Sequence, residues 1–459
     1  MAGLGRFGQF GVVHTDAEAD ALCTQAREWI RRYGGQQAID FEGETFASES
    51  DVDSLVNRID GLSINGTQLI LNRIYDGIGF NRIKDDVLRH LVVARISQPS
   101  SKLATTSYLR SYFKEDIGLS RIYRYMDKLY NSQMEPVQEI SIAHTRSILG
   151  GSTGLLFYDV TTLYFETAPK DDMRQAGFSK DGKTSEAQIV LGLLVSQDGY
   201  PLSYSIFNGS QYEGYTMIPI IDDFVHRYSL SDFVIVADSG LMSAKNIRLL
   251  RSAGYKYIIG ARIKTESTVL REWILSLEKT NGTAYEKKKD DGDRLIVSYS
   301  ENRASNDAKN RAKGVARLEK SFRTGKLTKD KINKRGYNKF LEISKDVEVS
   351  ISRERIAEDE KWDGLKGYIT NTDLNAKDVI DQYHGLWVVE RAFRVSKGSL
   401  EMRPIFHFTE RRIEAHICIC FIAYKVYKEP ERIQNEVHCD ECRQGIGHCK
   451  DYRYHRNQN

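Results

Sequence analysis

The chain has 459 residues, of which 41% are hydrophobic and 28% charged, with a net charge of +3. That length buries a large core in two or three domains, the composition is that expected of a folded, soluble chain, and no apolar run reaches the roughly 20 residues of a membrane-spanning helix. Six cysteines do not make a disulfide framework in a chain this long, and the opening residues lack the charged start and continuous apolar core of a signal peptide, so a cytoplasmic protein is expected.

Residues 1–150 read mainly as helix. "DAEADALCTQAREWIRRYG" and "EPVQEISIAHTRSILGG" repeat at helical spacing and end at glycine. Between them, "SKLATTSYLRSYFKEDIGLSRIYRYMDKLYN" reads as helix, break, helix, with Ile117-Gly118 as the turn and Ser120 as a cap. The second of these helices carries Arg121, Tyr123, Arg124 and Lys128. A helix-turn-helix would lay such residues on DNA, and an ordinary helical hairpin with a solvated basic face competes with that reading.

From residue 155 the pattern changes to strands. "LLFYDVTTLYF", "QIVLGLLVS" and "PLSYSIFNG" follow one another, then the helix "TMIPIIDDFVHRYS", the strand "FVIVAD", the helix "SAKNIRLLRSAG" and the strand "KYIIGAR". Three strands followed by helix, strand, helix and strand indicate a mixed sheet covered by helices. Residues 264–364 interrupt that rhythm. "YEKKKDDGDRLIVSYS" predicts a hairpin, and Glu301 to Phe340 hold 13 Lys/Arg against 4 Asp/Glu, a local excess of +9 that suits a polyanion or a solvated helix pair. "AKDVIDQYHGLWVVERAFRVSKGSL" then reads as one amphipathic helix.

Asp159 lies within an apolar, β-branched strand, where a carboxylate is costly unless its charge is compensated. Asp238 ends the strand "FVIVAD", at the strand-to-loop junction where ligands and catalytic groups gather; alone it also reads as a turn or capping residue. At 100° per residue, Tyr383, Trp387, Glu390, Arg394 and Lys397 fall on one stripe beside a buried stripe of Leu386, Val389 and Phe393. A surface Glu390–Arg394 pair is the plain alternative. Together the three acids suggest a metal site, because carboxylates suit Mg²⁺ and two such ions can activate water at a phosphodiester.

These blocks resemble the DDE-class transposases of bacterial insertion sequences, in the group whose RNase H-like core is interrupted before the last acid. "YDVTTLYFE" is similar to the block of the first Asp, and "GLLVSQDGYPLSYSIFNGSQYEGYT" with "VIVADSGLMSAKNI" to those leading through the second. "DGLKGYITNT", "YHGLWVVERAFRVSKGSLEMRPIFH" and "RRIEAHICICFIAYK" are similar to the block of the last acid. The resemblance implies an RNase H-like mixed sheet flanked by helices, with a helical N-terminal region and an inserted basic, β-rich subdomain. It implies a catalytic, metal-binding triad of Asp159, Asp238 and Glu390 with two Mg²⁺ or Mn²⁺ ions. Tyr383 and Lys397 match the family's Tyr–Arg–Glu–Lys signature as DNA contacts, while Leu386 stands at the Arg position, leaving Arg391, Arg394 or His384 to replace it.

The resulting division is a helical end-binding and dimerisation region over 1–150, the core over 151–263, the insertion over 264–364, the remaining core with the Glu helix over 365–430, and a tail over 431–459. The expected partners are double-stranded DNA, as terminal inverted repeats and target, and a second copy of the chain, with no membrane. An inactive DNA-binding remnant and a nuclease that cuts without joining are the rival readings. The tail "VHCDECRQGIGHCKDYRYHRNQN" holds three of the six cysteines and three of the ten histidines. One reading is a zinc site of Cys439, Cys442, His448 and Cys449. The preferred one is a frameshift, since permissible codons read one base later spell an apolar, amphipathic segment.

Overall fold

The computed structural model describes residues 15, 20–24 and 66–443 apart from 151–153, 166–169, 178–185, 229, 231–232, 242, 325–335 and 344–348; it also leaves out the side chains of Glu213, Ile343 and 435–443. The chain divides into two units, Met1–Ser63 and Ile64–Asn459, and the elements below belong to the second. Most of the helix expected in "DAEADALCTQAREWIRRYG" lies outside the described residues, as does the tail beyond residue 443.

Five helices come first: α1 (Gly66–Ile78), α2 (Asp86–Ser97), α3 (Lys102–Tyr108), α4 (Leu119–Ser132) and α5 (Met134–Ile148). The strands β1 (Gly154–Tyr164), β2 (Gln188–Ser196) and β3 (Pro201–Asn208) form an antiparallel meander. Next come α6 (Met217–Tyr228), β4 (Phe233–Ala237), α7 (Ala244–Ser252) and β5 (Lys256–Ala261), with β4 parallel to both β1 and β5. The inserted segment supplies α8 (Thr268–Ser276), β6 (Ala284–Lys288), β7 (Arg294–Tyr299), α9 (Glu301–Arg323), β8 (Leu341–Ile343), β9 (Val349–Ile351) and α10 (Arg353–Glu360). The chain then returns as β10 (Leu365–Thr370), α11 (Ala376–His384), α12 (Trp387–Lys397) and α13 (Glu410–Arg443).

The main sheet has eight strands in the order β3-β2-β1-β4-β5-β10-β7-β6. Its first five strands form a mixed sheet flanked by helices. Both faces are covered, which is why β1 and β2 read as continuous apolar runs rather than alternating ones. Successive residues still part to opposite sides: Phe157 and Leu163 join the core formed with α1, α2, α4, α5 and α11 to α13, while Leu156, Tyr158 and Val160 join the core formed with α6 and α7. Helix α13 lies at the centre of the first core, where every residue from Ile417 to Val426 is buried. Among the described residues no helix is long and apolar enough to cross a membrane.

Three local readings are corrected. The second N-terminal hairpin helix begins at Leu119 with Gly118 at its cap, so Ser120 lies inside it and caps nothing. The segment expected as one helix over 376–400 is two, because the chain makes a tight turn at Gly385-Leu386. There the backbone presses on β1: a Cβ on Gly385 would lie 2.5 Å from the ring of Phe157, which is 1% exposed and has no room to retreat. The hairpin β6–β7 forms as its sequence indicates, but it extends the main sheet through β10. The backbone of α13 is helical as far as Arg443, past the start of the unusual tail composition.

Gly385→Ala should therefore cost about 1–3 kcal/mol of stability through overpacking against Phe157. Urea unfolding monitored by circular dichroism tests this; an unchanged midpoint would show that α12 is not pinned at that point.

Candidate active site

Tyr158 on β1 pairs with Ala237 on β4, and Ala237 with Ile259 on β5. Carried one residue further, that register sets Asp159, Asp238 and Gly260 side by side on neighbouring strands, about 4.8 Å apart from strand to strand. Gly260 in turn pairs with Tyr368 on β10. Phe157, Val236, Ile258 and Tyr368 all face the core that holds α11 to α13, so this row opens towards those helices.

Tyr383, at the end of α11, reaches down onto the row. Its hydroxyl donates to Asp238 Oδ1 at 2.9 Å, and its ring meets Tyr368 edge-on at 4.8 Å. A Cβ on Gly260 would lie 2.6 Å from that hydroxyl and 3.0 Å from the Ser239 amide, so the absence of a side chain there lets Tyr383 reach Asp238. Arg262 fixes the following turn, donating to the carbonyls of Ser239 at 3.0 Å and Gly240 at 3.2 Å.

Burial alone would push the Asp238 carboxyl up. The Tyr383 hydroxyl, the Ser239 and Gly240 amides and the Lys366 charge outweigh it and hold the carboxyl below its ordinary range. The Lys366 Nζ stands 5.0 Å from the Tyr383 ring centroid. Burial and then the charge of Arg303 push the Lys366 ammonium down, opposed by Asp238 and Glu390. Burial, followed by Asp238, pushes the Tyr383 phenol far up, so it remains a hydrogen-bond donor.

Helix α12 is tied to β1 at both ends. Gly385 abuts Phe157 just before it starts, and Lys397 at its end donates to the Thr161 hydroxyl. Asp159 lies midway between those two β1 anchors, and Glu390 lies between the two α12 anchors, exposed on the first turn. Leu386, Val389 and Phe393 are the buried stripe, as their spacing indicates. Asp159 Oδ1 accepts the Val160 amide at 2.8 Å. Asp159 and Asp238 thus lie on the face that α12 covers and Glu390 is exposed on α12, and among the described residues no three His, Cys, Asp or Glu side chains are gathered closely enough to hold a metal. The donor set itself, three carboxylates with no sulfur or imidazole, fits a hard divalent cation.

Of the candidates for the missing signature Arg, Arg391 is ion-paired with Glu431, whereas Arg394 and His384 are exposed. Arg121, Arg124 and Lys128 lie on the exposed face of α4, whose other face buries Ile122, Met126 and Leu129; Lys128 pairs with Asp85 at 2.8 Å. These three belong to the helical layer and not to the carboxylate row. Sequence reasoning missed Lys366, although a lysine inside "LKGYIT", an otherwise apolar strand, is an available signal. It also missed Gly260 and Arg262, whose roles depend on contacts between distant segments.

A cleft of about 580 Å³ adjoins the Asp238 turn, with Ser239, Arg262, Lys264, Arg303, Lys339 and Lys366 in its walls. The positive excess of the insert is partly paired there: Arg311 meets Asp363 at 2.6 Å, and Asp359 takes Lys264 at 2.6 Å and Lys339 at 2.7 Å.

Residues 150–425 match the model of a protein family described as the transposase DDE domain. The chain belongs to that family. No curated protein matches the DDE chain. Among solved structures it is similar to the piggyBac transposase synaptic complex with hairpin DNA, at 10% identity over 86% of this chain and 72% of that one, with a TM-score of 0.42. It is also similar to the Mos1 transposase paired-end complex with left transposon end, at 11% identity over 51% of this chain and 66% of that one, with a TM-score of 0.17. For the Mos1 mariner paired end complex with Mn the identity is 13%, over 53% of this chain and 72% of that one, and the TM-score 0.16.

Tyr383→Phe should remove about 1.5–3 kcal/mol at neutral pH, the scale of a hydrogen bond to a charged group. The folded-state pKa of Asp238 is depressed, so this stabilisation is present above the unfolded carboxyl pKa and fades as pH falls through the folded one. Unfolding of both proteins at pH 7 and across the acid limb measures it; a difference that grows on acidification would contradict this sign.

Proposed function

We propose that this DDE-family chain is the DNA transposase of a bacterial insertion sequence. It binds the terminal inverted repeats of its element, pairs two ends as a homodimer, hydrolyses the phosphodiester at each end and joins the freed 3′ hydroxyls to target DNA. The observation that supports this reading is that Asp159 lies in β1 and Asp238 directly follows the adjacent parallel β4, on the face covered by the helix that carries Glu390.

Asp159, Asp238 and Glu390 would hold Mg²⁺ or Mn²⁺, two ions in all, which when bound supply an activated water and stabilisation of the leaving oxygen. The chain's own groups prepare that site. The Tyr383 hydroxyl and the Ser239 and Gly240 amides keep Asp238 ionised and aimed, and Lys366 limits the mutual repulsion of Asp238 and Glu390. Glu390, exposed on α12, faces incoming DNA. Lys397, Arg394 and the Tyr383 edge border the path of the backbone. In this reading residues 1–150, with Arg121, Arg124 and Lys128, recognise the ends and the partner copy, and 264–364 holds flanking DNA beside the cleft. The protein works in the cytoplasm, on the nucleoid when bound.

An inactive DNA-binding remnant is favoured by one observation: Leu386 is buried where the family signature has Arg. Incubation with end DNA, target DNA and Mg²⁺ separates the readings. Joined products support the transposase, cleavage without joining a nuclease, and binding without either a remnant.

Glu390→Gln should abolish cleavage and leave end-DNA affinity near its wild-type value, because it removes a charge and keeps the shape. Mobility shift and cleavage on the same preparation test this, and equal loss of both would make Glu390 structural. Lys397→Ala should lower the salt dependence of DNA binding by about one phosphate's worth; an unchanged slope would leave Lys397 as only a tie to Thr161.

A further inference from the structure

A second group of polar residues lies in the helical layer, apart from the carboxylate row. Arg95 on α2, Lys102 on α3, His407 in the loop after α12 and His416 on α13 are all buried, at 6%, 5%, 8% and 4% exposure. They line a pocket of about 140 Å³ together with Ser100, Ser101, Leu103, Tyr123, Glu401 and Phe406. The floor is cationic and the rim mostly uncharged: Leu103 and Phe406 are each 64% exposed there.

The hydrogen bonds settle the protons. His416 Nε2 lies 3.0 Å from the Met402 carbonyl, which can only accept, so that nitrogen carries the hydrogen. His416 Nδ1 is then the acceptor for the Lys102 ammonium, at 3.5 Å. After burial, the largest influence on Lys102 is the charge of Arg95, and the largest on His407 and His416 are the charges of Lys102 and Arg95. Glu401, exposed at the rim, is the carboxylate in the pocket's lining. Burial, then Arg95, brings Lys102 down to about 7. Arg95 and Lys102 are buried while the lining's carboxylate stays out at the rim; such burial is costly, and an anion between the two cations would offset that cost. The space is too small for a nucleotide-sized ligand and ample for a few waters or one tetrahedral oxyanion.

We propose that this pocket between α2, α3, α13 and the loop 398–409 is a phosphate-binding site, with Arg95 and Lys102 as its cationic floor and the Ser100 and Ser101 hydroxyls at its mouth. The phosphate comes either from the backbone of bound DNA or from a free phosphate or phosphomonoester. Because the site stands apart from the carboxylates, its occupancy does not depend on whether the chain cuts DNA.

The test uses the full chain. Thermal unfolding is followed with inorganic phosphate against chloride at equal ionic strength, for the wild type, Lys102→Met and Leu103→Glu. The second variant adds a carboxylate at the mouth from an exposed helical position, so it keeps its fold even where removal of the buried lysine does not. Phosphate is expected to raise the wild-type midpoint above its chloride value, as a ligand of the folded state does. Both variants should bind phosphate about tenfold or more weakly, the scale of one lost charge-assisted hydrogen bond. Duplex binding across salt concentrations then distinguishes the sources. A slope lowered by about one in Leu103→Glu identifies a DNA phosphate, and an unchanged slope with intact phosphate binding in the wild type identifies a free one. No phosphate-specific stabilisation of the wild type, or an undiminished effect in Leu103→Glu, would overturn the site.

Discussion

A sheet covered on both faces has little place for charge, and the register of four strands decides where this one carries it. Continued one residue past Tyr158, Ala237 and Ile259, the register sets Asp159, Asp238 and Gly260 in a row that Tyr368 of β10 completes, on the face that the last helices cover. Two members are acids, one has no side chain, and one is an aromatic platform. Tyr383 can enter because Gly260 leaves space, rests against Tyr368, and ends with its hydroxyl on Asp238. Displacing any of these segments by one residue would turn its side chains to the other face. Segments more than a hundred residues apart are thus bound to one geometry.

Much of this was legible in the sequence and some could not be. The strands could be read because a two-sided sheet demands long β-branched runs, and "QIVLGLLVS" coincides with β2 from end to end. Asp159 and Asp238 stood out because each interrupts or ends such a run. The stripe of Leu386, Val389 and Phe393 was also visible, since its period is local. The break at Gly385 was not: the apolar phase continues through it, and the chain turns where its backbone meets the Phe157 ring, on a strand 228 residues earlier. Gly260 and Arg262 were silent for the same reason. A glycine in a strand shows no sign of the tyrosine it admits until the fold brings the two together.

The insert presents the opposite case, where a composition was plain and its consequence was not. Its excess of Lys and Arg suited a polyanion or a solvated helix pair, and Arg311, Lys264 and Lys339 are held by Asp363 and Asp359. Burial opposes the charge of Asp359, and the hydrogen bonds from Lys264 and Lys339 overcome it, keeping its carboxyl below the ordinary range. These pairs order the wall of the cleft, where Arg262, Arg303 and Lys366 also lie beside the Asp238 turn.

The same insert is joined to the site by hydrogen bonds of the main sheet. β10 closes the insertion, and it lies between β5 on one side and β7 on the other. The strand that ends the insert therefore also presents Tyr368 to Tyr383 and brings Lys366 within range of Asp238 and Glu390. Movement of the β6–β7 hairpin would pull on β10 before it reached any other strand of the core, and β10 carries Lys366, whose charge interacts with those of Asp238 and Glu390. An insertion placed at another boundary of the core would leave Asp238 its tyrosine but remove this coupling. Where the insertion enters the fold thus bears on the electrostatics of the site as directly as what the insertion contains.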